Sequence, residues 1–145
     1  MTDSIILKFE NNTAYLSMNR PDVHNAFNAE MITALSNAFD EIAERNDISA
    51  LILRGEGKSF SAGADLNWMK ESVKFSQEEN RRDAIALAEM LNKLNTLPQL
   101  TIACVHGAAL GGGFGLVSCC DVVIAGPNAK FALSEVKLGL IPATI

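Results

Sequence analysis

The sequence predicts an α/β fold built from repeated ββα units, and three observations point there. Short apolar runs alternate with longer segments whose apolar residues recur at helical spacing, often as two strands followed by a helix. Glycine-rich segments stand where apolar runs end, the places at which α/β proteins turn from strand to helix and tend to bind ligands. Hydrophobic residues make up 48% of the chain and charged residues 20%, enough apolar surface for a packed core. The length of 145 residues predicts one domain, over 1–145, with no internal repeat and no low-complexity linker. Periodicity alone leaves the strand order open.

Residues 5–9 and 13–18 are apolar-rich and flank Asn11-Asn12, a hairpin signal. Asn19-Arg20-Pro21-Asp22 breaks that pattern. Asn28 is placed as an N-cap, and Met31, Leu35, Phe39 and Ile42 behind it predict a helix over 29–45. Residues 49–53 read as a buried strand, followed by a glycine-bearing loop over 55–63. Ser76 and Glu79 form a capping box. The helix it opens shows Ala84, Leu87, Ala88, Leu91 and Leu94 on one face and ends before Pro98. Residues 100–105 form another strand, which runs into a glycine-rich stretch. A short apolar helix starts at those glycines and ends near Cys120-Asp121, and residues 122–125 and 130–133 are two more short strands.

The net charge of -5, with Lys and Arg scattered, lacks the basic stripe of a nucleic-acid-binding surface. No apolar run approaches the roughly 18 residues that cross a membrane, and Met1-Thr2-Asp3-Ser4 does not open a signal peptide. The three cysteines, Cys104, Cys119 and Cys120, sit in apolar stretches without metal-ligand spacing. Together these predict a cytoplasmic globular protein with no metal. The apolar end, Leu140-Ile141-Pro142-Ala143-Thr144-Ile145, lacks the polar character usual at a domain end, so truncation is expected, with these residues packing against further chain.

Two segments carry the chemistry. Ser59-Phe60-Ser61-Ala62-Gly63-Ala64-Asp65-Leu66 follows one strand, and Gly107-Ala108-Ala109-Leu110-Gly111-Gly112-Gly113 follows another. Small residues let a ligand reach backbone N–H groups, and a helix N-terminus favours negative charge. Neither segment fits a phosphate loop or a dinucleotide fingerprint. Taken singly each is weak; their combination is specific.

In order, Phe60-Ser61-Ala62-Gly63-Ala64-Asp65-Leu66, the glycines from 107 to 113, and Ser134-Glu135-Val136-Lys137-Leu138-Gly139-Leu140-Ile141-Pro142 resemble the signatures of the crotonase (enoyl-CoA hydratase/isomerase) superfamily. Asn19-Arg20-Pro21 with His24-Asn25-Ala26-Phe27 is similar to that family's N-terminal signature. The resemblance implies a crotonase-like ββα spiral whose C-terminal helical part is absent here. It implies an acyl-CoA substrate, with coenzyme A carried on the substrate and no separate cofactor, and a homo-oligomer, trimer or hexamer. The thioester oxygen would sit between the Ala64 and Gly112 N–H groups, and Ala62, Ala64, Asp65, Leu66, Asn67 and Gly112 would line the CoA. Glu135 matches one of the two glutamates of many family hydratases. The position of the other is Gly115, a departure that leaves Glu135 as the sole matched acid/base. Residues 61–69, 111–121 and 133–137 look most like bacterial methylglutaconyl-CoA hydratases, which implies 3-methylglutaconyl-CoA as the candidate substrate and a place in leucine degradation.

Other residues carry simpler expectations. Asp65 caps the turn behind it. Asp121 fixes a turn. His24 and His106 have no evident dyad partner, Cys119 and Cys120 belong to the core, and Trp68 and Met69 either wall the acyl pocket or fill the core. The leading function is hydration of an enoyl-CoA; double-bond isomerisation and a non-catalytic CoA-binding module stand as alternatives.

Overall fold

The computed structural model describes residues 3–142. Strands β1 (Ile5–Glu10) and β2 (Thr13–Met18) pair antiparallel, as the Asn11-Asn12 signal predicts. Both asparagines take positive φ, 48° and 62°, the left-handed region that Asn tolerates better than most residues. Helix α1 (Ala29–Ala43) starts at Asn28, whose side chain accepts from the Met31 N–H at 2.9 Å. Its face of Met31, Leu35, Phe39 and Ile42 is buried.

Next come β3 (Ala50–Gly55), α2 (Leu66–Ser72), α3 (Gln77–Asn95), β4 (Leu100–Val105), β5 (Ala108–Leu110), α4 (Gly112–Ser118), β6 (Val122–Ala125) and β7 (Lys130–Ala132). The chain then makes a 3-10 turn over Ser134–Leu138. The main sheet has the order β1-β2-β3-β4-β6, parallel from β2 onward. Register aligns Ala14 with Leu51, Leu16 with Leu53, Leu51 with Thr101 and Leu53 with Ala103. All six are buried, so one sheet face forms a continuous floor for the core.

A second, shorter ladder runs beside this sheet. It consists of the parallel bridges Phe27–Ala64 and Ser61–Ala109 and the parallel pair β5–β7. Each turn of the chain therefore supplies one main strand, one rung of the short ladder and a helical segment: β2, Phe27 and α1; β3, residues 61–64 and α2; β4, β5 and α4; β6, β7 and the 3-10 turn. This is the repeated ββα arrangement the sequence predicts.

The structure departs from the sequence expectation at α3. Its capping box is present, and Met90, Leu91 and Leu94 are buried, but Ala84 and Ala88 are exposed and Leu87 is half-buried. The C-terminal half of α3 lies on α1, where Lys93 bonds Ser36 at 2.8 Å and pairs with Asp40; the N-terminal half extends past α1. Val122, Val123, Ile124, Phe131, Val136 and Ile141 are exposed on β6, β7 and the segment behind them. Of the apolar end, Leu140 and Ile141 are exposed, and residues 143–145 lie outside the described residues. Among the described residues no helix is long and apolar enough to cross a membrane.

Candidate active site

The loop after β3 is held by the segment after β2. Asn25 is fully buried, and its side chain accepts from the Arg20 N–H and donates to the Glu56 and Ser59 carbonyls, each at 2.8 Å. The Ser61 hydroxyl donates to the Asn25 carbonyl at 2.8 Å and accepts from the Gly63 N–H at 3.2 Å. Ala62 N–H donates to the His24 carbonyl, Phe27 N–H to the Gly63 carbonyl, and Asp65 N–H to the Phe27 carbonyl. The first sequence motif is thus a bracket that fixes residues 59–65. Asn25→Ala would remove the partner of the buried Ser59 carbonyl and of the part-buried Arg20 N–H and Glu56 carbonyl. It is expected to destabilise the protein by about 1–3 kcal/mol, read as a lower denaturant midpoint.

Asp65 caps α2, accepting from the Asn67 N–H at 2.9 Å, and pairs with Arg20 at 2.9 Å. Burial alone would raise its carboxyl, but bonds from the Asn67 N–H, the Arg20 guanidinium and the Trp68 N–H outweigh that and hold it below the usual range. Its side chain is therefore committed to structure, as the capping expectation has it.

The three consecutive glycines serve three different contacts. A Cβ on Gly111 would lie 3.1 Å from Glu135 Oε1; one on Gly112 would meet the Phe27 ring at 2.8 Å; one on Gly113 would meet the Ser61 carbonyl at 2.5 Å. Gly63, at φ +88°, completes the arrangement, because its Cβ position is only 3.3 Å from the Gly112 nitrogen and 2.8 Å from the Leu110 carbonyl. Residues 63–64 and the start of α4 therefore lie side by side. The amides of Ala64 and Gly112 have no backbone or side-chain acceptor among the described residues. Two free N–H groups thus stand at the junction of two loops, one of them in the first turn of a helix.

Glu135 reaches the same place from the 3-10 turn behind β7, which is tied in by the Gly111 N–H bond to the Ala132 carbonyl at 2.9 Å. Its Oε2 is buried and has no hydrogen-bond partner among the described residues. A carboxylate oxygen left unpaired in this way calls for a ligand or water proton.

These groups border one cavity of about 660 Å³, within the size range of small-molecule sites. Ala62, Ala64, Asp65, Leu66, Asn67, Gly112 and Glu135, all predicted from sequence, line it. So do Gly63 and Gly111, which the sequence reading did not single out, although both flank residues it did. Trp68 and Met69 line the cavity too, and Trp68 also packs on the core. Among the described residues the only carboxylates on the lining are Asp65 and Glu135, and Asp65 is occupied. Gly115 is buried in α4 and is not on the lining.

The remaining expectations resolve simply. Asp121 accepts from the Thr101 N–H and hydroxyl, each at 2.8 Å, fixing the turn into β6. Burial pushes the Cys119 thiol up and, with the neighbouring Cys119 and Asp121, pushes Cys120 up to about 12; both are half-buried and pack against the edge of the core. His24, for which the sequence offered no partner, bonds the buried Ser59 hydroxyl through Nδ1 at 3.1 Å. Ser59 does not line the cavity, so the pair is not placed as a nucleophile and base.

The enoyl-CoA hydratase/isomerase family model matches residues 8–145. The chain is 38% identical to a short-chain-enoyl-CoA hydratase of Clostridium acetobutylicum, over 97% of this chain and 53% of that protein. An enoyl-CoA hydratase from Shewanella pealeana superposes with a TM-score of 0.93 at 42% identity, covering 97% of this chain and 53% of that one. An enoyl-CoA hydratase/isomerase from Marinobacter aquaeolei gives 0.89 at 39%, covering 98% and 56%. The chain therefore spans about half the length of the curated relatives it matches. With the ββα spiral and four motifs in matching order, the chain belongs to the enoyl-CoA hydratase/isomerase family.

Proposed function

We propose that this chain supplies the enolate-stabilising site of an enzyme that hydrates a 2-enoyl-CoA. The observation that carries the reading is the unpartnered Glu135 carboxylate, set in one cavity with the two free amides of Ala64 and Gly112. The thioester oxygen accepts from both amides, so that charge developing on it as the enolate forms meets donors already in place. Glu135 takes a proton from water as the oxygen bonds to C3, then delivers that proton to C2 as the enolate collapses. One carboxylate thus acts first as base and then as acid. Coenzyme A arrives as part of the substrate, and no further cofactor enters.

A second reading rests on a specific observation: among the described residues Glu135 is the only free carboxylate on the cavity lining. A double-bond isomerase needs only one, to remove a proton from C2 of a 3-enoyl thioester and return it to C4. Mixing the protein with 2-enoyl-CoA and 3-enoyl-CoA separates the two. Hydration bleaches the absorbance of the conjugated thioester, and isomerisation creates it. We expect bleaching with 2-enoyl-CoA; absorbance gained from 3-enoyl-CoA, with none lost from 2-enoyl-CoA, would favour the isomerase. Acyl-CoA affinity without either change would favour a CoA-binding module.

Following the resemblance to methylglutaconyl-CoA hydratases, 3-methylglutaconyl-CoA, an intermediate of leucine degradation, is the first substrate to assay. The resemblance to the crotonase superfamily supports a trimer or hexamer for the whole protein and a domain that continues beyond these residues.

A further inference from the structure

In a trans peptide the C=O and the N–H of one plane point in opposite directions. No cis peptide occurs among the described residues. A proton donated to the carbonyl of a plane therefore orients the N–H on its far side, and polarises it. The Ala64 amide is linked in this way to a charged side chain. Its own plane begins with the Gly63 carbonyl, which accepts from the Phe27 N–H at 2.7 Å. The Phe27 plane begins with the Ala26 carbonyl, which accepts from Nη1 of Arg20. The guanidinium and the two peptide planes thus form one chain of hydrogen bonds. It ends on an N–H without an acceptor among the described residues.

The surroundings favour transmission along this chain. Ala26, Phe27 and Gly63 are buried, so both bonds lie away from water. Neither carbonyl takes a second proton among the described residues. The guanidinium is fixed as well. Nη2 pairs with Asp65 at 2.9 Å, the Arg20 N–H donates to the Asn25 side chain at 2.8 Å, and the Arg20 carbonyl accepts from the Asn25 N–H at 2.9 Å. Asp65 offsets the cation at a distance but leaves Nη1 a charge-assisted donor in contact with the Ala26 carbonyl. The Gly112 amide is backed differently: its plane begins with the Gly111 carbonyl, which accepts from the Gly115 N–H at 3.0 Å.

We propose that Arg20 is a positioning residue for the reaction, which acts through the Ala26–Phe27 and Gly63–Ala64 planes to aim the Ala64 N–H and strengthen it as an oxyanion donor. The proposal rests on the acyl-CoA reading above. Arg20 does not line the cavity, so its effect on the enolate runs through the backbone and not through contact with substrate.

The test uses two changes at position 20. Citrulline in place of Arg20 keeps the shape and removes the charge; Arg20→Lys keeps the charge on a single donor nitrogen. Dissociation constants of an enolate-mimicking inhibitor and of a saturated acyl-CoA are measured by calorimetry beside each denaturant midpoint. Both are measured again with lactic acid in place of Ala64. A gain of about 10–30% from one cooperative link, on a donor worth about 10²–10³-fold, corresponds to about two- to eightfold. We expect citrulline to weaken the inhibitor by that factor beyond any change in the acyl-CoA, and Arg20→Lys to recover part of it. With the ester at position 64 the last N–H of the chain is gone, so citrulline should no longer act selectively on the inhibitor. Equal weakening of both ligands, an unchanged inhibitor, or the same selective effect in the ester background overturns the proposal. If the citrulline protein does not fold, phenyllactic acid in place of Phe27 cuts the chain with every side chain kept. The same selective weakening is then expected, and its absence overturns the proposal. A native protein that binds neither ligand, or binds the inhibitor no more tightly than the acyl-CoA, instead removes the enolate reading on which the proposal stands.

Discussion

Replacing Glu135 by Gln is expected to lower turnover of 2-enoyl-CoA by about 10²–10⁴-fold in the native protein, with acyl-CoA affinity largely kept. The size follows from what the substitution removes. Gln preserves the shape against Gly111 but can neither take a proton from water nor return one to C2. Among the described residues no other carboxylate on the cavity lining is free to stand in, because Asp65 is held by Arg20 and by the first turn of α2. Steady-state rates beside calorimetric affinity for a saturated acyl-CoA read both halves. Near-native turnover in the variant would remove Glu135 from the chemistry, and lost affinity with lost rate would make it a structural group.

Deleting either free amide is expected to cost at least about 10²-fold in turnover, the usual loss for one oxyanion donor, or about 2.7–4 kcal/mol. Side-chain changes are poor probes of this. At Gly112 even a single Cβ would meet the Phe27 ring at 2.8 Å, so Gly112→Val would disturb a fully packed aromatic together with the amide. An amide-to-ester exchange is cleaner. Glycolic acid in place of Gly112, or lactic acid in place of Ala64, replaces N–H by O and leaves the shape almost intact. Neither N–H is bonded within the described protein, but each ester also weakens the preceding carbonyl, which accepts from the Phe27 N–H at Gly63 and from the Gly115 N–H at Gly111, so the rate loss is read beside the denaturant midpoint of each variant. An enolate-mimicking inhibitor should weaken more than substrate does, since the donors are complementary to the charged state. Ester variants with native rate and native inhibitor affinity would show that the amides do not serve the reaction.

Much of this site is legible in the sequence because its parts are local. The Asn28 cap, the Ser76–Glu79 box and the Asn11-Asn12 turn each act within a few residues, so spacing alone locates them. Ala64, Gly112 and Glu135 are found through motif resemblance, and all three border the same cavity. The short second ladder was legible only at β7, expected over 130–133: β5 is three residues long, and the Phe27–Ala64 and Ser61–Ala109 bridges are single rungs too brief to show a period of two. The seven-residue α2 was likewise hidden, announced only by Asp65 as its cap. The Asn25 bracket joins residues more than thirty positions apart, and no local pattern encodes it. The expected burial of Ala84 and Ala88 failed for a related reason. Helical spacing gives a face, but only packing decides how much of the helix has a partner.

The central claim is that the thioester oxygen rests between the amides of Ala64 and Gly112. The infrared stretch of that carbonyl tests it most directly. A saturated acyl-CoA labelled with carbon-13 at the thioester carbon, bound to the protein, isolates the band from the protein's own amides. Two donors polarise and weaken the C=O bond, so the account predicts a fall in its frequency on binding, reduced in the Gly112 and Ala64 ester variants. A bound thioester whose carbonyl stretch matches that in water, and does not respond to either ester, would contradict it.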